Sequence, residues 1–228
     1  MDHQSKIKAQ RLKLAAKIVS QEYPHPLRVG VDGVTASGKT TFADELARLI
    51  VDMGRPVVRA SIDGFHNPKN VRYRNGDSSP EGYYDDSFNY PTLRTALLEP
   101  IRDIVSQSRD LRTAAYSFRE EKEVNDQWAT FDSATILLFD GVMLFREEIN
   151  DCWDFRIYID TRLETAFTRG VPRDAATDEE QMSVGKKYLE RYFPGQRIYQ
   201  ARSNPREMAD VVVLNNDLNR SHILHRKP

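Results

Sequence analysis

Cysteine is nearly absent from this sequence, with Cys152 the single example among 228 residues. One thiol excludes an internal disulfide framework and a four-cysteine zinc site. A prevailing sign of charge is lacking too: 33 lysines and arginines face 34 aspartates and glutamates. No global field argues for nucleic acid or a membrane surface, so any basic residue that matters acts locally. Apolar runs stay well short of the roughly 18 residues that a membrane span needs, and the N-terminus carries no signal-peptide core. A reducing cytoplasm is the expected location. Repeats, low-complexity tracts and a second hydrophobic block are also missing, so one α/β domain covering 1–228 is expected.

What is present centres on nine residues, Gly33-Val34-Thr35-Ala36-Ser37-Gly38-Lys39-Thr40-Thr41. They fit G-x-x-x-x-G-K-[ST], the phosphate-binding P-loop, without a mismatch. A loop that wraps a polyphosphate turns its backbone N–H groups inward, and glycines at both ends permit the required dihedrals. Lys39 can then reach the β- and γ-phosphates while the Thr40 hydroxyl sits on magnesium. The motif needs a strand before it and a helix after it. Leu27 to Val31 supplies the strand; Thr41 to Val51, with Phe42, Leu46, Leu49 and Ile50 at helical spacing, supplies the helix. The sequence therefore reads as that of a nucleoside-triphosphate binder.

The other elements fall into place around this loop. Residues 5–22 form an amphipathic helix expected to pack against the sheet edge. Pro56 to Ile62 is a second strand, closed by Asp63-Gly64. From His66 to Tyr90 turn signals dominate, and a loop this long inside a domain is usually functional. Its aromatics, Tyr73, Tyr83, Tyr84, Phe88 and Tyr90, argue against disorder. Thr92 to Val105 reads as one helix, and Leu111 to Phe118 and Glu123 to Phe131 as two extended segments. Ala134 to Asp140 is the plainest buried strand, and its terminal Asp140 matches a Walker-B acid that holds magnesium. After the strand Phe155 to Asp160, Thr161-Arg162-Leu163-Glu164 spells a capping box. Arg162, Arg169 and Arg173 follow on nearly one helix face until Gly170 and Pro172 disturb it, as a mobile phosphate-covering lid over 168–180 requires. A helix from Asp178 is expected to end near Phe193-Pro194-Gly195. Ala209 to Asn215 is the last strand, before a polar, basic tail. Strands alternating with helices give a P-loop NTPase three-layer α/β/α sandwich, with a central parallel sheet and a helical lid. Gly33, Asp63 and Asp140 each follow a strand end and should face one cleft.

These motifs carry a resemblance that runs from Val29 to about Leu214. The chain resembles the uridine kinase/phosphoribulokinase family of P-loop kinases, nearest to uridine–cytidine kinases and bacterial uridine-kinase-like proteins. Ser37-Gly38-Lys39-Thr40, Ile62-Asp63-Gly64-Phe65-His66, Tyr84-Asp85-Asp86-Ser87-Phe88, Tyr116-Ser117-Phe118, Leu138-Phe139-Asp140-Gly141, Arg169 to Asp174 and Ala209-Asp210-Val211-Val212 stand where that family has its motifs. The resemblance implies acceptor-binding insertions over 64–132. It makes Asp63 the general base, Asp85 a ribose ligand, and Tyr116, Phe118 and His66 the lining of a nucleoside site. Tyr116 and Phe118 lie two apart on an extended segment, so both rings should share one pocket wall. Arg169 and Arg173 would clamp the phosphates.

Three departures accompany these matches. Asp140 stands in place of the family's glutamate, Arg119 to Lys122 where a histidine is expected, and Ala175 to Asp178 where further lid arginines are. The implied activity is transfer of the γ-phosphoryl of Mg-ATP to a hydroxyl, with the 5′-OH of uridine or cytidine favoured. A pantothenate- or sugar-type kinase remains open, as does a P-loop switch without a small-molecule acceptor. The expected partners are ATP and a small hydroxyl-bearing substrate, without nucleic acid or membrane, and a homo-oligomer is left open.

Overall fold

The computed structural model describes residues 2–225. Helix α1 (His3–Val19) opens the chain, with Asp2 accepting the Ser5 N–H as its N-cap. Strand β1 (Leu27–Gly33) is buried at every residue and runs into the P-loop, after which helix α2 (Lys39–Asp52) begins. Strand β2 (Val57–Ser61) follows. The excursion after it holds three short helices, α3 (Lys69–Arg72), α4 (Pro80–Asp86) and α5 (Tyr90–Leu93). Two antiparallel pairs come next. Strand β3 (Arg109–Arg112) lies against β6 (Trp128–Phe131), and β4 (Tyr116–Ser117) against β5 (Lys122–Glu123). Strands β7 (Ile136–Gly141) and β8 (Phe155–Asp160) lead to the lid helices α6 (Leu163–Asp174) and α7 (Asp178–Lys187). Helices α8 (Phe193–Ser203) and α9 (Pro205–Met208) and strands β9 (Val211–Leu214) and β10 (His222–His225) complete the fold.

The main sheet has the order β10-β9-β8-β1-β7-β2, parallel throughout except for β10. Because strand side chains alternate, β7 feeds two cores at once. Ile136 and Leu138 pack with Val29, Val31 and helices α1 and α2 on one face. Leu137 and Phe139 pack with Leu97, Trp153 and Tyr199 on the other. A third cluster, Val34, Ala36, Ala166, Val171, Tyr188 and Phe193, seats the lid on the P-loop. The α/β/α sandwich expected from the strand–helix alternation is the observed fold.

Four local expectations are corrected. The stretch from His66 to Tyr90 holds helices α3 and α4 rather than loop alone. The single helix over 92–105 breaks into α5, a π-turn at Arg94–Leu98 and a 3₁₀ turn at Pro100–Asp103. Pro100 has no N–H to give and its ring crowds the preceding turn, so the regular ladder opens there. The helix expected to stop near Phe193-Pro194-Gly195 instead passes through a π-turn at Tyr188–Tyr192 and continues to Ser203. Pro194 is tolerated because it sits in the first turn of α8, where its missing N–H leaves no gap. The tail adds an edge strand, β10, in which Ile223 is buried against the core below α1. The basic end of the tail, 226–228, lies outside the described residues.

Candidate active site

The carboxyl ends of β1, β2 and β7 meet at an open cleft of about 1270 Å³. Gly38, at φ +91°, occupies the left-handed region, and a Cβ there would meet Asn215 Nδ2 at 2.8 Å. Ala36 is also left-handed, at φ +60°. That conformation costs a non-glycine residue roughly 1–2 kcal/mol, held in place by burial of Ala36 in the lid cluster. The Ser37 carbonyl accepts from Asn215 Nδ2 at 2.7 Å and from Thr161 Oγ1 at 3.3 Å. Thr161 thus gives its hydroxyl to the P-loop and caps nothing; α6 starts at Leu163 behind Arg162, which offers no side-chain cap.

Lys39 is folded back over its own loop, its ammonium donating to the Val34 carbonyl at 2.8 Å. Burial pulls it from 10.5 down to about 8, against the opposing charges of Asp32, Asp140 and Asp63. Beneath the loop Asp32 is fully buried and accepts the Gly33 N–H at 2.7 Å and the Tyr199 hydroxyl. Burial pushes its carboxyl from 3.8 up to about 6, with the Tyr199 hydrogen bond resisting. The Tyr199 oxygen also accepts the Phe145 N–H at 3.0 Å, and Gln196 donates to Thr35 Oγ1 at 2.7 Å. Helix α8 therefore braces both the strand and the loop.

Thr40 donates its hydroxyl proton to Asp140 Oδ2 at 2.7 Å, and Arg59 donates to Asp140 Oδ1 at 2.7 Å. Among the described residues no group of three or more His, Cys, Asp or Glu side chains could hold a metal. Across the cleft, exposed Asp63 follows β2. Its carbonyl lies 3.1 Å from Nδ1 of His66, whose ring stands between Phe88 and Phe118 with centroids 4.6 Å from each. Backbone contacts set this stack: His66 bridges Phe88, Phe65 bridges Tyr116, and Ala115 donates to the Gly64 carbonyl at 2.7 Å. Burial lowers the His66 pKa, with the charge and carbonyl of Asp63 opposing.

The structure brings Lys39, Thr40, Asp63, His66, Phe118, Asp140 and Arg173 to this one cleft. Of the P-loop, Thr35, Ala36, Lys39, Thr40 and Thr41 line the cleft and Gly33, Val34, Ser37 and Gly38 do not, and three residues read from the sequence as acceptor or lid groups are also not there. Asp85 is exposed and absent from the cleft wall, while its buried neighbour Asp86 is occupied by Arg74 and Asn75. One step along a short helix swings a side chain to another face. Tyr116 does not share a wall with Phe118, because β4 ends at Ser117 and the chain turns. Its hydroxyl instead donates to Glu121, which also binds Arg72 and the Lys69 N–H. Arg169 donates to the carbonyls of Asn215 and Asn216, both at 2.8 Å, so only Arg173 of the lid pair lines the cleft. Sequence reasoning did not single out Asp32, Arg59, Glu121, Gln196 or Tyr199. Charges inside the buried strand β1 and the half-buried strand β2 were the available signal for the first two.

Residues 28–191 match the Phosphoribulokinase / Uridine kinase family. The chain belongs to this family. It is 28% identical over 153 residues to uridine-cytidine kinase B of Dictyostelium discoideum, covering 67% of this chain and 60% of that protein. It is 29% identical over 182 residues to a pantothenate kinase of Rhodopseudomonas palustris (strain HaA2), covering 74% and 56% respectively. The chain thus spans less than two thirds of the length of either relative. Among solved structures, a possible uridine kinase from Bacillus stearothermophilus superposes with a TM-score of 0.66 at 24% identity, over 90% of this chain and 97% of that one. The family's P-loop kinase fold is the fold seen here. No helix among the described residues is long and apolar enough to cross a membrane.

Proposed function

We propose that this protein transfers the γ-phosphoryl group of ATP to a hydroxyl of a small molecule, and that the acceptor is a pyrimidine nucleoside. The observation that carries the reading is the placement of Asp63 and the His66–Phe118 stack opposite Lys39 in one cleft. Lys39 would leave the Val34 carbonyl for the β- and γ-phosphates, regaining a strong partner for a buried ammonium. Thr40 and Asp140 fit magnesium: the Thr40 hydroxyl already directs its proton to Asp140, leaving its lone pairs for a cation. One carboxylate, one hydroxyl and phosphate oxygens form a donor set that Mg²⁺ accepts. The ion would supply charge neutralisation on the phosphates. Asp63 would accept the acceptor's proton as its oxygen bonds to phosphorus, and Arg173 would offset charge on the moving group; both line the cleft, which supports these roles. A flat heterocycle suits the edge of the His66–Phe118 stack.

A second reading has its own observation. Lys69, Arg72 and Arg119 line the acceptor half, and Asp85 does not, which favours a carboxylate-bearing acceptor such as pantothenate over a ribose. Nucleotide turnover with uridine, cytidine, adenosine, pantothenate and simple sugars separates them. Stimulation by uridine or cytidine is expected. Phosphorylation of pantothenate or a sugar without uridine would move the assignment while sparing the kinase. Turnover indifferent to every acceptor would instead favour a nucleotide switch.

A further inference from the structure

Arg59 stands at an unexpected place for a cation. It lies on β2 opposite Leu138 of β7, two residues short of the pair Ser61–Asp140. Its side chain reaches forward along the sheet edge to the strand ends. There the guanidinium is held on three sides: by Asp44 of α2 at 3.1 Å from Nε, by the Leu138 carbonyl, and by Asp140 Oδ1 at 2.7 Å. The other Asp140 oxygen takes the Thr40 hydroxyl. Asp140 is buried, so both oxygens of a shielded carboxylate already have donors. The shorter aspartate at this position matters too, since its carboxylate stays back at the strand end within reach of Arg59.

We propose that Arg59 is the resident counter-cation of the Asp140 carboxylate and restricts the divalent metal to entry together with the nucleotide. The inference rests on Thr40 and Asp140 being the metal's protein donors. A bare divalent ion arriving at Asp140 would meet a carboxylate whose two oxygens both already have donors and, beside it, a fixed guanidinium that it shares with Asp44 and that offsets part of its charge. Like-charge repulsion at such a short range, in a partly shielded site, opposes binding. An ion arriving on a triphosphate brings several negative charges with it, which outweigh the single charge of Arg59. Arg59 therefore acts through Asp140 and touches neither substrate nor metal. It is a positioning residue whose effect is on metal affinity in the absence of nucleotide.

The test is binding of Mn²⁺ followed by the loss of its free-ion electron paramagnetic resonance signal, measured beyond the loss that the same ADP causes without protein. Wild-type protein at millimolar Mn²⁺ is expected to bind none without nucleotide and one equivalent when ADP is added. Arg59→Gln should bind Mn²⁺ alone at least about tenfold more tightly than wild type, with the difference shrinking in the presence of ADP. Arg59→Lys, which keeps the charge but not the fork, should behave like wild type. Tight Mn²⁺ binding by the nucleotide-free wild type overturns the proposal without any variant. Equal Mn²⁺ affinity in wild type and Arg59→Gln, with normal Mn²⁺·ADP binding in both, overturns it while leaving the metal site intact. Failure of wild type to bind Mn²⁺ even with ADP would overturn both this role and the assignment of Thr40 and Asp140.

Discussion

The two halves of the cleft are built on opposite principles. The phosphate half is nine consecutive residues wound between one strand and one helix, and Lys39 bonds to Val34 within that loop. The acceptor half is assembled from residues far apart in the chain. Phe118 meets His66 across 52 positions, and Glu121 reaches Arg72 across 49. The lining of the phosphate half thus comes from one short motif, although Thr161, Gln196 and Asn215 brace that loop from outside. The acceptor half depends on a few long-range latches, which no motif specifies. A loop of this kind tolerates little change within itself, whereas the latched wall can be retuned one contact at a time.

The sharpest break in this contrast comes from Lys39→Ala. With its charge gone from the phosphates, turnover should fall on the order of 10³-fold. Circular dichroism and the urea unfolding midpoint should remain near wild type, and a well-folded variant with wild-type turnover would remove the P-loop from the mechanism. Asp32→Asn probes what lies under the loop. A buried carboxyl raised from 3.8 to about 6 stabilises the fold fully below pH 4 and loses that contribution as pH rises through 6. That span is on the order of 3 kcal/mol. Urea unfolding from pH 4 to 7 should therefore show wild type losing stability relative to Asp32→Asn, and parallel curves would contradict the raised carboxyl.

Smaller effects should come from the acceptor wall. Glu121→Gln keeps the shape but weakens the hold on Arg72, the Lys69 N–H and Tyr116. The KM of whichever acceptor is turned over should rise about tenfold, with the KM of ATP unchanged. Equal rises in both would mean that the two halves are not independent. Asp85→Ala should leave the acceptor KM within about twofold, since exposed carboxylates away from a site contribute little. A sharp rise would return Asp85 to the ribose role that its motif implied.

Legibility in the sequence followed the same division. The buried strands at 27–31, 134–140 and 155–160 were readable because apolar runs bounded by turn residues have one interpretation inside an α/β pattern. The P-loop, Asp63 and Asp140 were readable because each ends such a strand. The acceptor wall was not, because position within a four- or seven-residue helix cannot be read from periodicity, and Asp85 and Asp86 differ only in which face they take. Tyr116 and Phe118 were assigned one wall on the assumption of a strand that stops at Ser117. β10 escaped notice because an edge strand buries one side only, and His222 and His225 look like tail. Arg59 was legible as an oddity, a charge inside a strand, but its partner lay 81 residues away.

The brace from α8 has a genetic consequence. Tyr199 and Gln196 serve the loop from more than 160 positions downstream. A saturation map of growth under dependence on this protein would therefore show two intolerant patches, one at the glycine-rich loop and one at 196–199. The second would look like an unrelated site to anyone reading the map along the chain. Suppressors of mild lesions at Thr35 should arise at position 196, and those of lesions at Asp32 at position 199, so the two patches would be inherited as one trait.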